Sequence, residues 1–196
     1  TSPGSICLDA TDATRKIGSP GKPLLHSEVR IVDPAGCDVK PGEVGEIWVR
    51  GPNITPGYWN RPDANASSFT DGWLHTGDLA RADDEGFIYI VDRSKDMYIS
   101  GGENVYPAEV EDALSQYPAI LECAVIGIPD ARWGEAGLAV VALKTQSTAT
   151  EADLLAHCRE RLAKYKCPAR IVFVDAIPRN PTGKLDKPTL RLQYAS

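Results

Sequence analysis

DRSKDMYISGGENVYPAEVEDAL, residues 92–114, is where the chain changes character. Upstream of it the apolar runs are short and separated by turn residues; downstream, helical and extended patterns alternate. The stretch opens with Arg93, Lys95 and Asp96, directly after the apolar run 87–91. Ionic groups at a strand end are placed to meet a ligand in a crevice. Ser100, Gly101 and Gly102 then let the backbone approach a ligand closely, because glycine has no Cβ and tolerates positive φ. Pro107 suits a first helical position, and Glu109, Glu111 and Asp112 favour the positive end of a helix. Val110, Ala113, Leu114 and Tyr117 follow i, i+3, i+4, i+7 spacing, which predicts an amphipathic helix from Pro107.

Working back from this stretch, EVRIVD (28–33) and EIWVRG (46–51) read as strands of a β-rich module. Residues 79–82 and 87–91 flank Asp83, Asp84, Glu85 and Gly86, an acidic turn that predicts a β-hairpin. Working forward, CAVIGI (123–128) and LAVVAL (138–143) read as buried strands. Thr150 with Asp153 resembles a capping box opening a helix that Pro168 ends, and RIVFV (170–174) is a further strand. The fold class is therefore α+β: a β-rich part, then a compact α+β part of about 100 residues. The boundary falls between residues 93 and 96, and there are no internal repeats or low-complexity tracts.

With 196 residues and 42% hydrophobic content, the chain can bury a core in one large domain or two small ones. A formal charge of −6 argues against nucleic-acid binding, which rests on clustered Lys and Arg neutralising phosphates. Locally the balance reverses, because residues 157–191 hold nine Lys or Arg against three acids, a net of +6 that suits a small phosphorylated ligand. The five cysteines (7, 37, 123, 158 and 167) are odd in number and never spaced CxxC, so neither zinc nor a disulfide framework is favoured. A reducing, cytoplasmic setting fits them, and no run approaches the roughly 18 apolar residues of a membrane span. No charged-then-apolar leader opens the chain. It begins with Thr1 rather than Met, in a stretch without strong periodicity, and the expectation is that further residues precede it.

Four positions invite a chemical reading. PRNPTGK (178–184) is a stiff, turn-rich loop presenting one ammonium, Lys184. It is not a P-loop, because Leu185 follows the lysine where Ser or Thr is required. On local sequence alone, a solvated loop lysine is the commoner meaning. Asp78, after Thr76 and Gly77, could accept hydrogen bonds from a ribose diol or could be a turn carboxylate or helix cap. Arg93 could meet a phosphate or a ribose, or could pair with Asp92 or Asp96 across a domain boundary. His26, His75 and His157 lack the spacing of a triad or metal site. Trp133, in PDARWGE, is either a core aromatic or a surface on which a base stacks.

Read jointly, TGDL (76–79), DRSKDMYISGGENVYPAEVE (92–111), KYKCP (164–168) and PRNPTGK (178–184) resemble, in this order and spacing, the adenylate-forming acyl-CoA synthetase family over nearly the whole chain. GGENVYPAEVE and GYWNRPDA (57–64) are similar to its fatty-acyl and aryl-CoA ligase branch. The resemblance implies that a carboxylic acid, read here as a fatty acid, reacts with ATP to give acyl-adenylate and pyrophosphate, and that CoA then displaces AMP. It implies that residues 1–94 are the distal β-rich part of a large N-terminal domain and residues 95–196 a mobile C-terminal lid. By resemblance, Asp78 and Arg93 hold the ribose hydroxyls, and Lys184 bridges the substrate carboxylate and α-phosphate. Lys95 takes the hinge position, and Gly102 lines the pantetheine tunnel. Trp133 and Tyr165 contact the CoA nucleotide, with Lys164, Lys166 or Arg170 gripping its phosphates where Cys167 replaces a basic residue.

The family's phosphate loop, its Mg-binding glutamate and most of its acyl pocket have no counterpart in these residues, so no metal ligand is assigned and this chain alone is expected to be inactive. It would need the N-terminal part of the same enzyme, while ATP, CoA and the acid are its small-molecule partners. Nucleic acid and a transmembrane segment are not expected. Two other readings remain: an acid-adenylating domain serving a carrier protein or reductase, and a non-catalytic nucleotide-binding module.

Overall fold

The computed structural model of the protein describes residues 4–195. Residues 1–3 and 196, at the outer ends of the two expected domains, lie outside the described residues. The chain divides between Lys95 and Asp96 into two compact units.

The first unit contains β1 (Ile6–Cys7), β2 (Lys22–Pro23), β3 (Glu28–Val32), β4 (Gly45–Arg50), α1 (Pro62–Ser68), β5 (Phe69–Thr70), β6 (Trp73–Ala82) and β7 (Ile88–Arg93). Its main sheet runs β3-β4-β6-β5, all antiparallel, with β7 on the β6 edge beyond β5. One face carries the core, Ile47, Val49, Leu74, Ala80 and Ile88. Alternation in β4 shows why: Gly45, Ile47 and Val49 are buried while Glu46 and Trp48 face the other side. The 83–86 turn closes the β6–β7 hairpin through Asp83, whose Oδ1 accepts from the Glu85 and Phe87 amides at 3.0 and 2.9 Å. Gly86 supplies the positive φ, +82°.

The second unit contains β8 (Tyr98–Ser100), β9 (Glu103–Val105), α2 (Pro107–Ser115), β10 (Ile120–Asp130), β11 (Gly134–Leu143), α3 (Glu151–Arg159), a 3-10 turn (Lys164–Lys166), β12 (Arg170–Phe173) and α4 (Lys187–Tyr194). Its sheet runs β10-β11-β8-β9, and β12 lies parallel to β11. The continuous apolar runs of β10 and β11 follow from burial on both faces. Cys123, Val125, Ala139 and Val141 pack with Val110 and Leu114 of α2 and with Leu154 and Cys158 of α3. Ala124, Ile126, Leu138 and Val140 point the other way, into a cluster with Ile177 and with Leu190 of α4.

Pro107 occupies the first turn of α2, whose buried face is Pro107, Val110, Ala113 and Leu114. Thr150 and Asp153 form a reciprocal capping box at the start of α3. That helix stops at Arg159, well before Pro168, which corrects the expected end. Ala163 turns extended (φ −59°, ψ 147°), so Leu162 and Cys167 pack onto the core. A helix continued to Pro168 would instead distribute these side chains around its axis. Among the described residues no helix is long and apolar enough to cross a membrane.

Candidate active site

Thr76, Gly77 and Asp78 lie inside β6, so Asp78 is neither a turn carboxylate nor a helix cap. Thr76 Oγ1 donates to the Ile47 carbonyl at 2.8 Å and accepts from the Asp78 amide at 3.1 Å. Gly77 holds φ +71° and donates its N–H to Glu46 Oε1 at 2.9 Å. These bonds fix the strand just where a register shift between Leu79 and Ala80 places Asp78 opposite Arg93. Arg93 Nε lies 3.1 Å from Asp78 Oδ1, and the two side chains are 51% and 35% exposed. The guanidinium thus meets a cross-strand carboxylate, while Asp92 Oδ1 accepts from the Arg93 backbone amide at 2.7 Å. An acceptor and a planar donor sit side by side at a sheet edge, the pairing that a vicinal diol needs. The neighbouring His75 ring stacks on Trp48 at 4.1 Å, a packing contact. Lys95 is exposed in the turn that joins β7 to β8.

Gly101 and Gly102 form the two-residue turn of the β8–β9 hairpin, with φ +61° and +89° as a type I′ turn requires. They do different work. A Cβ on Gly101 would lie 2.8 Å from the Trp133 ring, whereas one on Gly102 would meet nothing within 4 Å. Gly101 therefore seats the indole, and Gly102 leaves a backbone that a ligand can approach. Trp133 is presented by Asp130, whose Oδ1 accepts from the Arg132 and Trp133 amides at 2.9 and 2.8 Å. The indole is 46% exposed.

Below it lies a cleft of about 440 Å³, lined by Trp133, Tyr165, Arg159, Lys164, Gly137 and Cys167 among others. The cleft brings together the two aromatics expected to meet a nucleotide and one of the three expected phosphate cations, Lys164. Lys166 is instead paired with Glu109 at 2.6 Å, and Arg170 is not part of the lining. Arg159 supplies the second cation, a residue the sequence reading passed over. It lies one helical turn beyond Leu155, which also lines the cleft, so i, i+4 spacing on α3 was the available signal. Tyr98, also passed over, is buried beneath the cleft, its hydroxyl beside Gly137 and without a hydrogen-bond partner among the described residues. Burial above all raises its phenol pKa.

Lys184 is exposed at the end of a tight turn stabilised by Asn180. Asn180 Oδ1 accepts from Thr182 N–H, Thr182 Oγ1 and Lys184 N–H at 3.0, 2.7 and 3.1 Å. The Asn180 amide donates to the Lys184 carbonyl at 2.9 Å, and Gly183 takes φ +83°. Arg179 closes the turn from outside, donating to the Gly183 carbonyl at 2.8 Å and pairing with Glu122 of β10. Two residues on, Asp186 caps α4. Among the described residues no group of three or more His, Cys, Asp or Glu is placed to hold a metal ion.

The first unit thus carries a cross-strand carboxylate–guanidinium pair, and the second a glycine turn, an aromatic and cationic cleft and a lysine held on a tight turn. Residues 1–59 match the family described as AMP-binding enzyme, and residues 109–184 match the AMP-binding enzyme C-terminal domain. A feruloyl-CoA synthase of Amycolatopsis is 50% identical over 98% of this chain and 39% of its own length. A long-chain-fatty-acid–CoA ligase of Mycobacterium tuberculosis is 45% identical over 98% and 38%. The o-succinylbenzoate CoA synthetase of Bacillus subtilis, solved with its acyl-adenylate intermediate, superimposes with TM-score 0.90 at 44% identity, over 96% of this chain and 38% of that one. The chain belongs to the adenylate-forming, AMP-binding enzyme family. It spans about two fifths of the length of the curated relatives it matches.

Proposed function

We propose that the chain is part of an AMP-forming acyl-CoA ligase, which joins a carboxylic acid to CoA through an acyl-adenylate. The observation that carries this reading is the cleft of the second unit, where Trp133 and Tyr165 stand with Arg159 and Lys164. An aromatic wall beside two cations suits a purine carrying phosphates, the distal half of CoA. Gly102 offers an open backbone for the pantetheine arm. Asp78 accepts from the ribose hydroxyls of the adenylate, and Arg93 donates to the same diol. Lys184 places its ammonium between the carboxylate and the α-phosphate, where it offsets the charge that builds as the acid oxygen attacks phosphorus. Pyrophosphate leaves; the thiol of CoA then attacks the acyl carbon, and AMP leaves as the thioester forms. Lys95 is the hinge about which the second unit changes orientation between these steps.

Solved relatives carry ATP with magnesium, or AMP, and both ATP and Mg enter this reading as requirements of the whole enzyme. The free thiols of the described cysteines support a cytoplasmic setting. For the acid, a fatty acid is supported by the mycobacterial relative, and an aryl acid by the feruloyl and succinylbenzoate enzymes. ATP–pyrophosphate exchange by the whole enzyme across both acid classes decides between them.

Lys184→Ala tests the mechanism in the same assay. Exchange should fall by at least about a thousandfold, the scale of losing one electrostatic stabiliser and its positioning, while thioester formation from supplied acyl-adenylate stays within a few fold. Equal loss of both half-reactions would overturn the role of Lys184. Transfer to a phosphopantetheinyl protein in place of CoA would overturn the choice of acceptor.

A further inference from the structure

We infer that Arg191 is a positioning residue that confines rotation at the unit boundary to Lys95 and transmits it to Lys184, an inference that rests on the reading of Lys95 as the hinge. A flexible connection spreads its rotation over every residue that is free to turn, so a sharp pivot needs a clamp on each side. On the upstream side the Ser94 amide donates to the Gly77 carbonyl at 2.9 Å, tying the last residue before Lys95 to β6 beside Asp78. On the downstream side Asp96 is only 9% exposed, and its Oδ1 accepts from Arg191 Nη2 at 2.8 Å. Between the clamps stands Lys95, exposed.

The downstream clamp has a second consequence. Arg191 belongs to α4, the helix that Asp186 caps two residues after Lys184. The first turn of α4 is fixed in turn by Lys187, 2.8 Å from Glu111 of α2, and the helix is seated by Leu190, 1% exposed. Asp96 is therefore joined by one ion pair to the element from which the Lys184 turn projects, although 95 positions separate Asp96 from Arg191. Without the arginine, a buried carboxylate would be left unpaired, and the 96–98 segment would loosen to reach water. The pivot would then spread into the second unit, and Lys184 would lose its fixed relation to it.

The test uses Arg191→Ala and Arg191→Lys in the whole enzyme, with two readouts. The first is trypsin cleavage of the Lys95–Asp96 bond, followed by peptide mass. It should quicken at least fivefold in Arg191→Ala, with cleavage after Arg50 and Arg179 unchanged, and return to within twofold of wild type in Arg191→Lys. The second is the adenylation half-reaction, where kcat should fall roughly tenfold in Arg191→Ala with KM for ATP and acid unchanged, and Arg191→Lys should recover most of it. Unchanged cleavage at Lys95–Asp96 would overturn the clamp. Faster cleavage with unchanged kcat would overturn its positioning role, as would cleavage quickened at all sites together with raised KM, which marks general loosening. Absence of exchange with any acid in the wild type would count against the acyl-CoA ligase reading instead, and the cleavage result would still decide the clamp.

Discussion

Asn180 illustrates how much of the site is set by single atoms. Its side-chain oxygen takes three donors from Thr182 and Lys184, so the amide, more than the flanking prolines, fixes where the Lys184 backbone lies. Asn180→Ala should lower stability by only about 1 kcal/mol, because the backbone bonds of the turn persist and the site is open to water. If Lys184 has the proposed role, adenylation by the whole enzyme should nevertheless fall roughly ten- to hundredfold, since displacement of about 1 Å at a catalytic group is costly in rate. Asn180→Asp, which keeps the acceptor, should recover most of the rate. Exchange unaffected in Asn180→Ala would mean that Arg179 alone places the turn. Of these residues Lys184 was legible in sequence through the order of four motifs, and Asn180 as a turn former. The Asp78–Arg93 pair was legible as two candidates but not as partners, because their meeting depends on a register shift that no local pattern encodes.

At the scale of elements, the hairpin of β6 and β7 shows what patterning conveys well. Alternating strands around Asp-Asp-Glu-Gly specify it, and the structure adds long-range partners for the turn. Lys16 reaches Asp83 at 2.6 Å and Glu85 at 2.7 Å. The lysine hydrogen bond, joined by the Phe87 and Glu85 amides, outweighs desolvation and lowers the Asp83 carboxyl to about 2. An unperturbed aspartate titrates near ~3.9. A carboxyl depressed in the folded state contributes stability that is complete above the unfolded value and is lost as pH falls through the folded one. The first unit should therefore lose stability as pH drops from about 4 to about 2, and Asp83→Asn should flatten that part of the profile while lowering the melting midpoint at pH 7. An Asp83→Asn profile as steep as wild type would assign the acid sensitivity to other carboxylates. The end of α3 was illegible for the opposite reason. Its capping box is local and reads directly, whereas its termination at Arg159 answers to the core that Leu162 and Cys167 must reach.

For the molecule as a whole, the change of pattern across residues 92–114 conveys that there are two units, and the structure shows that each encloses its own core. In the second unit every member of the two clusters lies beyond residue 96. The ion pairs of Lys187 with Glu111 and Arg191 with Asp96 are internal to it as well. Residues 96–196 expressed alone should therefore fold, and two thiols report on it. Burial, more than the neighbouring charges, pushes Cys123 up to about 12 and Cys158 up to about 11. Because the thiolate is the reactive form, both should resist a disulfide-exchange reagent at about pH 8 until the unit unfolds. In the whole chain, Cys7 and Cys37 are exposed and belong to the first unit, so they should react at once. The isolated second unit lacks them, and its slow thiols should become reactive together, in step with loss of helical circular dichroism as urea is raised. Immediate reaction of Cys123 and Cys158 in that piece would mean that its core depends on residues before Asp96. The clamp at Arg191 would then hold together a unit that cannot stand alone, instead of bracing one that can.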